Sequence, residues 1–203
     1  MPDAAWLLVV PAYAAGTFPT ALLVGRRTGV DPTRVGSRNP GASNTYRTAG
    51  RAAGALVLAG DLGKGALATG VGLLAGGRPV GVACGLAAVL GHVAPLTRGL
   101  RGGKGVATAA GVALVLHPLP SLLLAAVWAA VAGLTRVAAL GSIVIALALP
   151  VAAALRGAST WEVIALAGCS ALVLVRHREN LDRLRRGEER ALRVPGRPPD
   201  RVG

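Results

Sequence analysis

Residues 101–108 read Arg101-Gly102-Gly103-Lys104-Gly105-Val106-Ala107-Thr108, and they interrupt a chain that is otherwise oily. Apolar blocks long enough to enter a bilayer lie on both sides. A bare, flexible, cationic turn between such blocks can gather backbone N–H groups and an ammonium around an anion. The helix that opens at Val106 adds free N–H groups and the positive end of its dipole. The turn is not a Walker A loop. That pattern needs Gly where this chain has Arg98, and Ser or Thr where it has Gly105. No aspartate is placed to hold magnesium, so an NTPase is not expected, nor is any metal or cofactor.

Hydrophobic residues make up 53% of the 203 and charged residues 15%, too oily for a soluble domain of ordinary composition. The apolar residues come in blocks at about 4–25, 52–76, 79–97, 105–117, 118–135, 137–155 and 160–175. At a rise of about 1.5 Å per residue, roughly 20 residues cross a core of roughly 30 Å. These blocks predict an all-α, polytopic membrane bundle of about seven helices. The block at 105–117 is too short to cross unaided, and Pro118 and Pro120 break any continuation. It reads as a re-entrant helix or as a short crossing.

Loop charge discriminates between these. With seven crossings and the N-terminus outside, nineteen arginines and lysines fall on the inner side, including Arg136 and the C-terminal arginines. Only Arg78 and Arg156 fall outside, and Lys64 lies within a block. The positive-inside rule expects this asymmetry, whereas a non-crossing 105–117 would put the arginine-rich tail outside. Trp6 and Trp161 then sit at outer span ends, where indoles collect. The C-terminus is cytoplasmic. The chain reads as one membrane domain, 1–193, with a disordered basic tail at 194–203. No basic residue precedes Arg26, so a cleavable signal peptide is not expected. Cys84 and Cys169 fall inside apolar blocks and form no disulfide framework or zinc spacing. The net charge of +13 would suggest nucleic acid in a soluble protein. Here the basic residues lie between membrane blocks, so membrane lipids or an anionic substrate are the expected partners and nucleic acid is not.

All three motif-like segments land on the inner face. The first, Gly36-Ser37-Arg38-Asn39-Pro40-Gly41-Ala42-Ser43-Asn44-Thr45-Tyr46-Arg47, combines hydroxyls, carboxamides and arginines without an acid, an inventory for binding anions. Alone it could be a solvated loop. The second is the Gly-rich turn, preceded by Gly91-His92-Val93-Ala94-Pro95. The third is His177-Arg178-Glu179-Asn180-Leu181-Asp182-Arg183-Leu184. If it is helical, His177 and Asn180 share a face and Glu179 can pair with Arg183. His177 and Asp182 diverge by about 140° on a helix, so they do not form a dyad. Asp61 and Lys64, at i and i+3 within a span, are expected to pair with each other. Ser142 alone reads as a helix-packing residue.

Together these segments resemble the bacterial acyl-phosphate-dependent glycerol-3-phosphate acyltransferase family, over nearly the whole chain. The first loop is similar to its G-S-G-N-x-G-A-T-N-x-x-R signature through Gly36, Ser37, Asn39, Gly41, Ala42, Asn44 and Arg47. The second matches G-H-x-x-P at Gly91, His92 and Pro95, then G-G-K-G-V-A-T from Gly102 to Thr108. The third matches H-R-E-N-x-x-R-L-x-x-G at His177 to Asn180, Arg183, Leu184 and Gly187. Asp61, Lys64, Arg136 and Ser142 also fall where the family carries such residues. Arg38 stands in place of the family's usual Gly, Ser43 in place of Thr, and Glu188 in place of Thr. Ala94, Thr97 and Leu100 replace aromatic residues.

The resemblance implies transfer of an acyl group from acyl phosphate to the 1-hydroxyl of glycerol 3-phosphate, giving lysophosphatidate and phosphate at the bacterial inner membrane. It implies that Ser37, Arg47, Lys104, His177 and Asn180 carry the chemistry, and that Asn39, Asn44, His92, Gly102, Gly103, Gly105 and Ser142 help to bind substrate. Two phosphates need several positive charges in a water-poor place, which Arg47, Lys104 and backbone N–H groups can supply. The base is either His177, whose ordinary pKa suits the task, or an oxygen of the acyl phosphate itself. The sequence leaves the oligomeric state open and is compatible with a monomer. A transporter or binding protein for a phosphorylated solute would use the same inventory, but no inverted repeat is visible.

Overall fold

The computed structural model describes residues 2–192, with the side chains of Pro2 and Asp3 outside the description. The expected tail at 194–203 lies outside the described residues. Among the described residues there are helices and turns and no strand. The helices are α1 (Pro2–Ala5), α2 (Val9–Gly16), α3 (Thr20–Thr28), α4 (Ala42–Ala49), α5 (Arg51–Val93), α6 (Val106–Leu116), α7 (Pro118–Thr135), α8 (Ala138–Leu155), α9 (Thr160–Arg176) and α10 (Arg178–Arg185). By length and composition, Trp6–Thr28, Arg51–Arg98, Pro118–Thr135 and Ala138–Leu155 can cross a membrane. Thr160–Arg176 joins them if it is taken with Arg178–Arg185 as one span bent by 55°.

At 43 residues, α5 would be about twice as long as a bilayer core is thick if it ran straight. It does not. Gly76 and Gly77 leave helical geometry, Gly77 with φ +73°, which an L side chain resists. The two limbs, 51–75 and 78–93, fold back against each other: a Cβ at Gly72 would meet Cys84, and one at Gly85 would meet Thr69. These are the separate blocks read from the sequence at 52–76 and 79–97.

The short α6 packs against both limbs. A Cβ at Gly65 would lie 2.1 Å from the Thr108 carbonyl oxygen, and one at Gly111 2.0 Å from that of Leu62. Backbones approach this closely only where side chains are absent, the usual way to pack helices in lipid. At one end of α6, Gly102 and Gly103 donate to the last carbonyls of the second limb, those of Val93 and His92. At the other, the carbonyl of Leu116 accepts from Arg78, which opens that limb. With its preceding loop, α6 therefore matches the second limb end to end.

The bundle has two polar ends. At one, Arg78 grips Glu162 through Nε and Nη2 at 2.7 and 2.8 Å, and His117 Nε2 lies 2.9 Å from the same carboxylate. Glu162 is only 1% exposed. This cluster ties the turn between the α5 limbs, the α6–α7 joint and the start of α9 together, and Trp161 stands exposed beside it. The other end carries Ser37, Arg47, Lys104 and His177. Replacing Glu162 with Ala strands Arg78 and His117. The loss expected is roughly 2–3 kcal/mol, below the figure for a fully buried pair because Arg78 reaches solvent. Thermal unfolding in detergent should show it as a lowered midpoint, because the cluster ties three helix ends together.

Candidate functional site

The first loop is shaped by Asn44. Its Oδ1 accepts the Ser37 N–H at 2.8 Å, and its Nδ2 donates to the carbonyls of Pro32 and Val35 at 2.9 and 3.1 Å. Asn44 is 1% exposed, so its polar atoms hold the loop rather than face a ligand. Three residues on along α4, Arg47 lies on a neighbouring face, with Nη2 3.5 Å from Ser37 Oγ. Asn39 is half-buried beside Gly41. Arg38 adopts φ +57°, a left-handed conformation that suits Gly and costs an L residue about 1 kcal/mol.

The Gly-rich turn is pinned on both sides. The N–H groups of Gly102 and Gly103 donate to Val93 and His92 carbonyls, both at 3.1 Å. Their own carbonyls accept from Arg176, at 3.0 Å for Gly102 and 3.3 Å for Gly103. The expectation that these two N–H groups would face an anion therefore meets a physical obstacle: they are already used. The donors left are those opening α6, which starts from Gly105 (φ +87°) with no side-chain cap. Lys104 reaches Asn180 Oδ1 with its ammonium.

The third segment bends at His177, between α9 and α10. His177 Nδ1 lies 2.8 Å from the Val173 carbonyl. An acceptor there assigns the proton to Nδ1 and leaves Nε2 as an acceptor. One turn on, Asn180 Nδ2 donates to Glu189 Oε1 at 3.0 Å, and Arg183 Nε to Glu189 Oε2 at 2.9 Å. Glu189 returns to the site because α10 closes with a Schellman turn. Gly187 has φ +69°, its N–H donates to Leu184, and that of Glu188 donates to Arg183. The Glu179–Arg183 pair is loose at 4.0 Å, with Glu179 exposed.

The three segments meet. Arg47 lies within the fields of Glu189, Arg183 and Arg190, and its burial lowers its pKa. Burial, with Arg183 and Arg47 adding to it against Glu189, pushes Lys104 down to about 8. Burial also pushes His177 down to about 4; its bond to Val173 works against this and the charge of Lys104 works with it. His177 is therefore a neutral acceptor at pH 7. It does not have the near-neutral pKa expected from the sequence for a base.

Two of the expected binding residues lie away from the cationic cluster. Ser142 Oγ accepts from Trp128 Nε1 at 3.1 Å and donates to the Ala138 carbonyl at 2.9 Å. It lines an apolar groove of about 230 Å³. The groove runs between α6, α7, α8 and α9, past Val106, Ala109, Leu124, Leu149 and Val173. Its cluster end starts one residue beyond Gly105 and one helical turn before His177. His92 is buried beneath the Gly-rich turn. Sequence reasoning missed Glu189, and it counted Arg176 only as a loop charge. An acid just beyond a helix-ending Gly, within a basic stretch, was the available signal. Among the described residues, no group of three or more His, Cys, Asp and Glu could hold a metal ion.

The family model described as glycerol-3-phosphate acyltransferase matches residues 6–187. Over 192 residues the chain is 42% identical to the glycerol-3-phosphate acyltransferase of Bordetella avium (strain 197N), covering 90% of this chain and 91% of that protein. Over 184 residues it is 44% identical to that of Thioalkalivibrio sulfidiphilus (strain HL-EbGR7), with coverage of 90% and 91%. Among solved structures it resembles PlsY (YgiH), an integral membrane glycerol 3-phosphate acyltransferase, in its glycerol 3-phosphate form. That match has a TM-score of 0.88 and 34% identity, and it covers 93% of this chain and 95% of the other. With the family model spanning nearly all of the described helices and the same three motifs meeting at one end of the bundle, the chain belongs to the glycerol-3-phosphate acyltransferase family.

Proposed function

We propose that this protein transfers an acyl group from acyl phosphate to the 1-hydroxyl of glycerol 3-phosphate, at the cytoplasmic face of a bacterial inner membrane. One observation carries the reading: a cluster of half-buried cations lies beside the lining of an apolar groove between helices. Val106 and Val173 line the groove within a turn of Lys104 and His177. A soluble phosphometabolite needs the first feature and a fatty chain the second; a reaction joining the two needs both in contact.

Arg47, Lys104 and the uncapped N-terminus of α6 hold the phosphates. Ser37 and Asn180 orient glycerol 3-phosphate, with Asn39 and Gly105 at the rim. Gly102 and Gly103 contribute shape, since their N–H groups are engaged. Asn44 and His92 support the loops, and Ser142 lines the acyl groove. The 1-hydroxyl oxygen attacks the acyl carbonyl carbon. The bond from that carbon to the phosphate oxygen breaks, and the hydroxyl proton leaves with the departing phosphate. N–H groups opening α6 stabilise the tetrahedral oxyanion. A neutral His177 with a free Nε2 accepts a hydrogen bond from the hydroxyl and aligns it. Its low pKa makes it a poor base and favours the phosphate oxygen in that role.

The seven-crossing topology, N-terminus outside, belongs to the same proposal. The matched ends of α6 and the second α5 limb support α6 as a crossing, which places Arg47, Lys104, Arg136 and His177 together on the arginine-rich side. A single domain suffices, with the described residues forming one bundle.

Purified protein with labelled glycerol 3-phosphate and palmitoyl phosphate should yield lysophosphatidate and phosphate. Acyl-CoA and acyl carrier protein donors should give none. Uptake into liposomes without lipid product would point instead to a transporter, and Lys104→Ala retaining full activity would remove the lysine from the site. His177→Gln should raise KM for glycerol 3-phosphate and keep kcat near wild type; loss of kcat alone would make His177 the base. Lys104 is charged below about pH 8 in the empty site and loses its proton above. KM for glycerol 3-phosphate should therefore climb as pH rises through that value, and Lys104→Arg should flatten the climb because a guanidinium stays charged.

A further inference from the structure

Beneath the Gly-rich turn lies a second charged cluster that no step of the reaction uses. Asp61, Lys64 and His92 are 2%, 8% and 6% exposed, at a depth where ionisable groups are expensive. Asp61 Oδ1 lies 2.9 Å from Lys64 Nζ and 3.6 Å from His92 Nδ1. Lys64 Nζ also donates to the Phe18 carbonyl at 3.3 Å, and Arg98 Nη2 to that of Thr17 at 3.2 Å. Both carbonyls belong to the break between α2 and α3. The sequence expectation of an Asp61–Lys64 pair is met, but the pair does more than neutralise itself.

The ring of His92 is wedged. Asp61 stands at its Nδ1 side, and Gly103 lies against the opposite edge. A Cβ at Gly103 would fall 2.1 Å from His92 Nε2, a distance no real side chain tolerates. The backbone of His92 meanwhile accepts the Gly103 N–H at 3.1 Å. Gly103 is thus held by ring and carbonyl of one residue, and the next residue in the chain is Lys104. Turning the imidazole by one rotamer would drive it into Gly103 or leave a void beneath it.

Resting on the reading of Lys104 as a phosphate ligand, we propose that Asp61 is a positioning residue for the reaction. Acting through the His92 ring, it sets Gly103 and hence the place at which the Lys104 ammonium meets Asn180 and the substrate phosphate. Lys64 balances the charge of Asp61 and caps the α2–α3 break. A displacement of about 1 Å at Lys104 is enough to cost a large factor in turnover or binding.

The test compares purified full-length variants. Asp61→Asn alone strands the Lys64 charge, so Asp61→Asn is paired with Lys64→Met, removing both buried charges together. The pair should unfold within a few degrees of wild type yet raise KM for glycerol 3-phosphate about ten-fold or more, with a smaller change in kcat. His92→Gln should do the same without touching a buried ion pair, and Asp61→Glu should recover most of the lost affinity. Adding His92→Gln to the double variant should change KM little further, because both act on one ring. A purely structural cluster would instead lower thermal stability with KM unchanged in the folded fraction. That outcome overturns the inference, as does wild-type KM in His92→Gln, which remains measurable if the double variant does not fold. Lys104→Ala run alongside separates the two levels. Full activity there sinks the site itself, whereas an inactive Lys104→Ala beside an unaffected Asp61→Asn/Lys64→Met sinks only the role of Asp61.

Discussion

Holding several positive charges together where water is scarce is the constraint from which the rest of this molecule follows. Two like charges 4 Å apart repel by about 4 kcal/mol at an effective dielectric of about 20, and burial adds a desolvation cost. Arg47, Lys104 and Arg183 share one small region, and a chain free to move would let them separate. Glu189 is the counterweight. Its carboxylate binds Arg183 and Asn180, and its field favours the charged forms of Arg47 and Lys104. The Schellman turn at Gly187 that delivers it is thus part of the site. Backbone geometry does the remainder of the work, by fixing both N–H and both carbonyl groups of Gly102 and Gly103.

That rigidity has a chemical consequence. A turn whose Gly102 and Gly103 peptide groups are engaged cannot wrap those groups around a phosphate; it presents Lys104 and the mouth of α6 at a set place. Preorganised donors of this kind stabilise a developing oxyanion without rearranging when the charge appears. The two glycines are required for a packing reason, since Gly103 lies on the His92 ring and Gly102 on the carbonyls of His92 and Val93. The reading of a flexible, bare turn is therefore replaced by one of a thin, stiff turn.

The architecture was legible in the sequence where hydrophobic blocks met sharp punctuation. Gly76-Gly77 split α5 where the blocks divide, and His117-Pro118 separated α6 from α7. The motif residues were legible as types: Ser37, Arg47, Lys104, His177 and Asn180 do gather at one end. What stayed hidden depended on three-dimensional return. Glu189 is one acid in a basic stretch until the turn at Gly187 swings it back. Asn44 and His92 carry ligand-like side chains, but Asn44 makes three bonds to its own loop and His92 is spent on Asp61 and Gly103. Spacing alone could not give the low pKa of His177, because it arises from burial in the folded bundle and from the neighbouring Lys104, against the bond to Val173.

Three departures from the family pattern, at Arg38, Ala94 and Leu100, fall where this geometry tolerates them. Arg38 takes a left-handed conformation that Gly would adopt more cheaply. The loop stays in place because Asn44 fixes it through Ser37, Pro32 and Val35, so the strain of about 1 kcal/mol is absorbed by a buried carboxamide with three good bonds. Leu100 is likewise left-handed, at φ +63°, but it is exposed and its neighbour Gly102 is held independently by Val93 and Arg176. Ala94, where an aromatic is usual, offers its carbonyl to the Tyr13 hydroxyl at 2.7 Å, and the same hydroxyl accepts the Leu96 N–H at 3.0 Å. Tyr13 on α2 thereby clamps the strand of chain that a bulkier residue at position 94 would otherwise pack. The changes at Arg38, Ala94 and Leu100 are each met by contacts that hold the surrounding chain, from Asn44 on α4, Tyr13 on α2 and Arg176 on α9, which is how a site built from three separate turns can vary its lining and keep its charges in register.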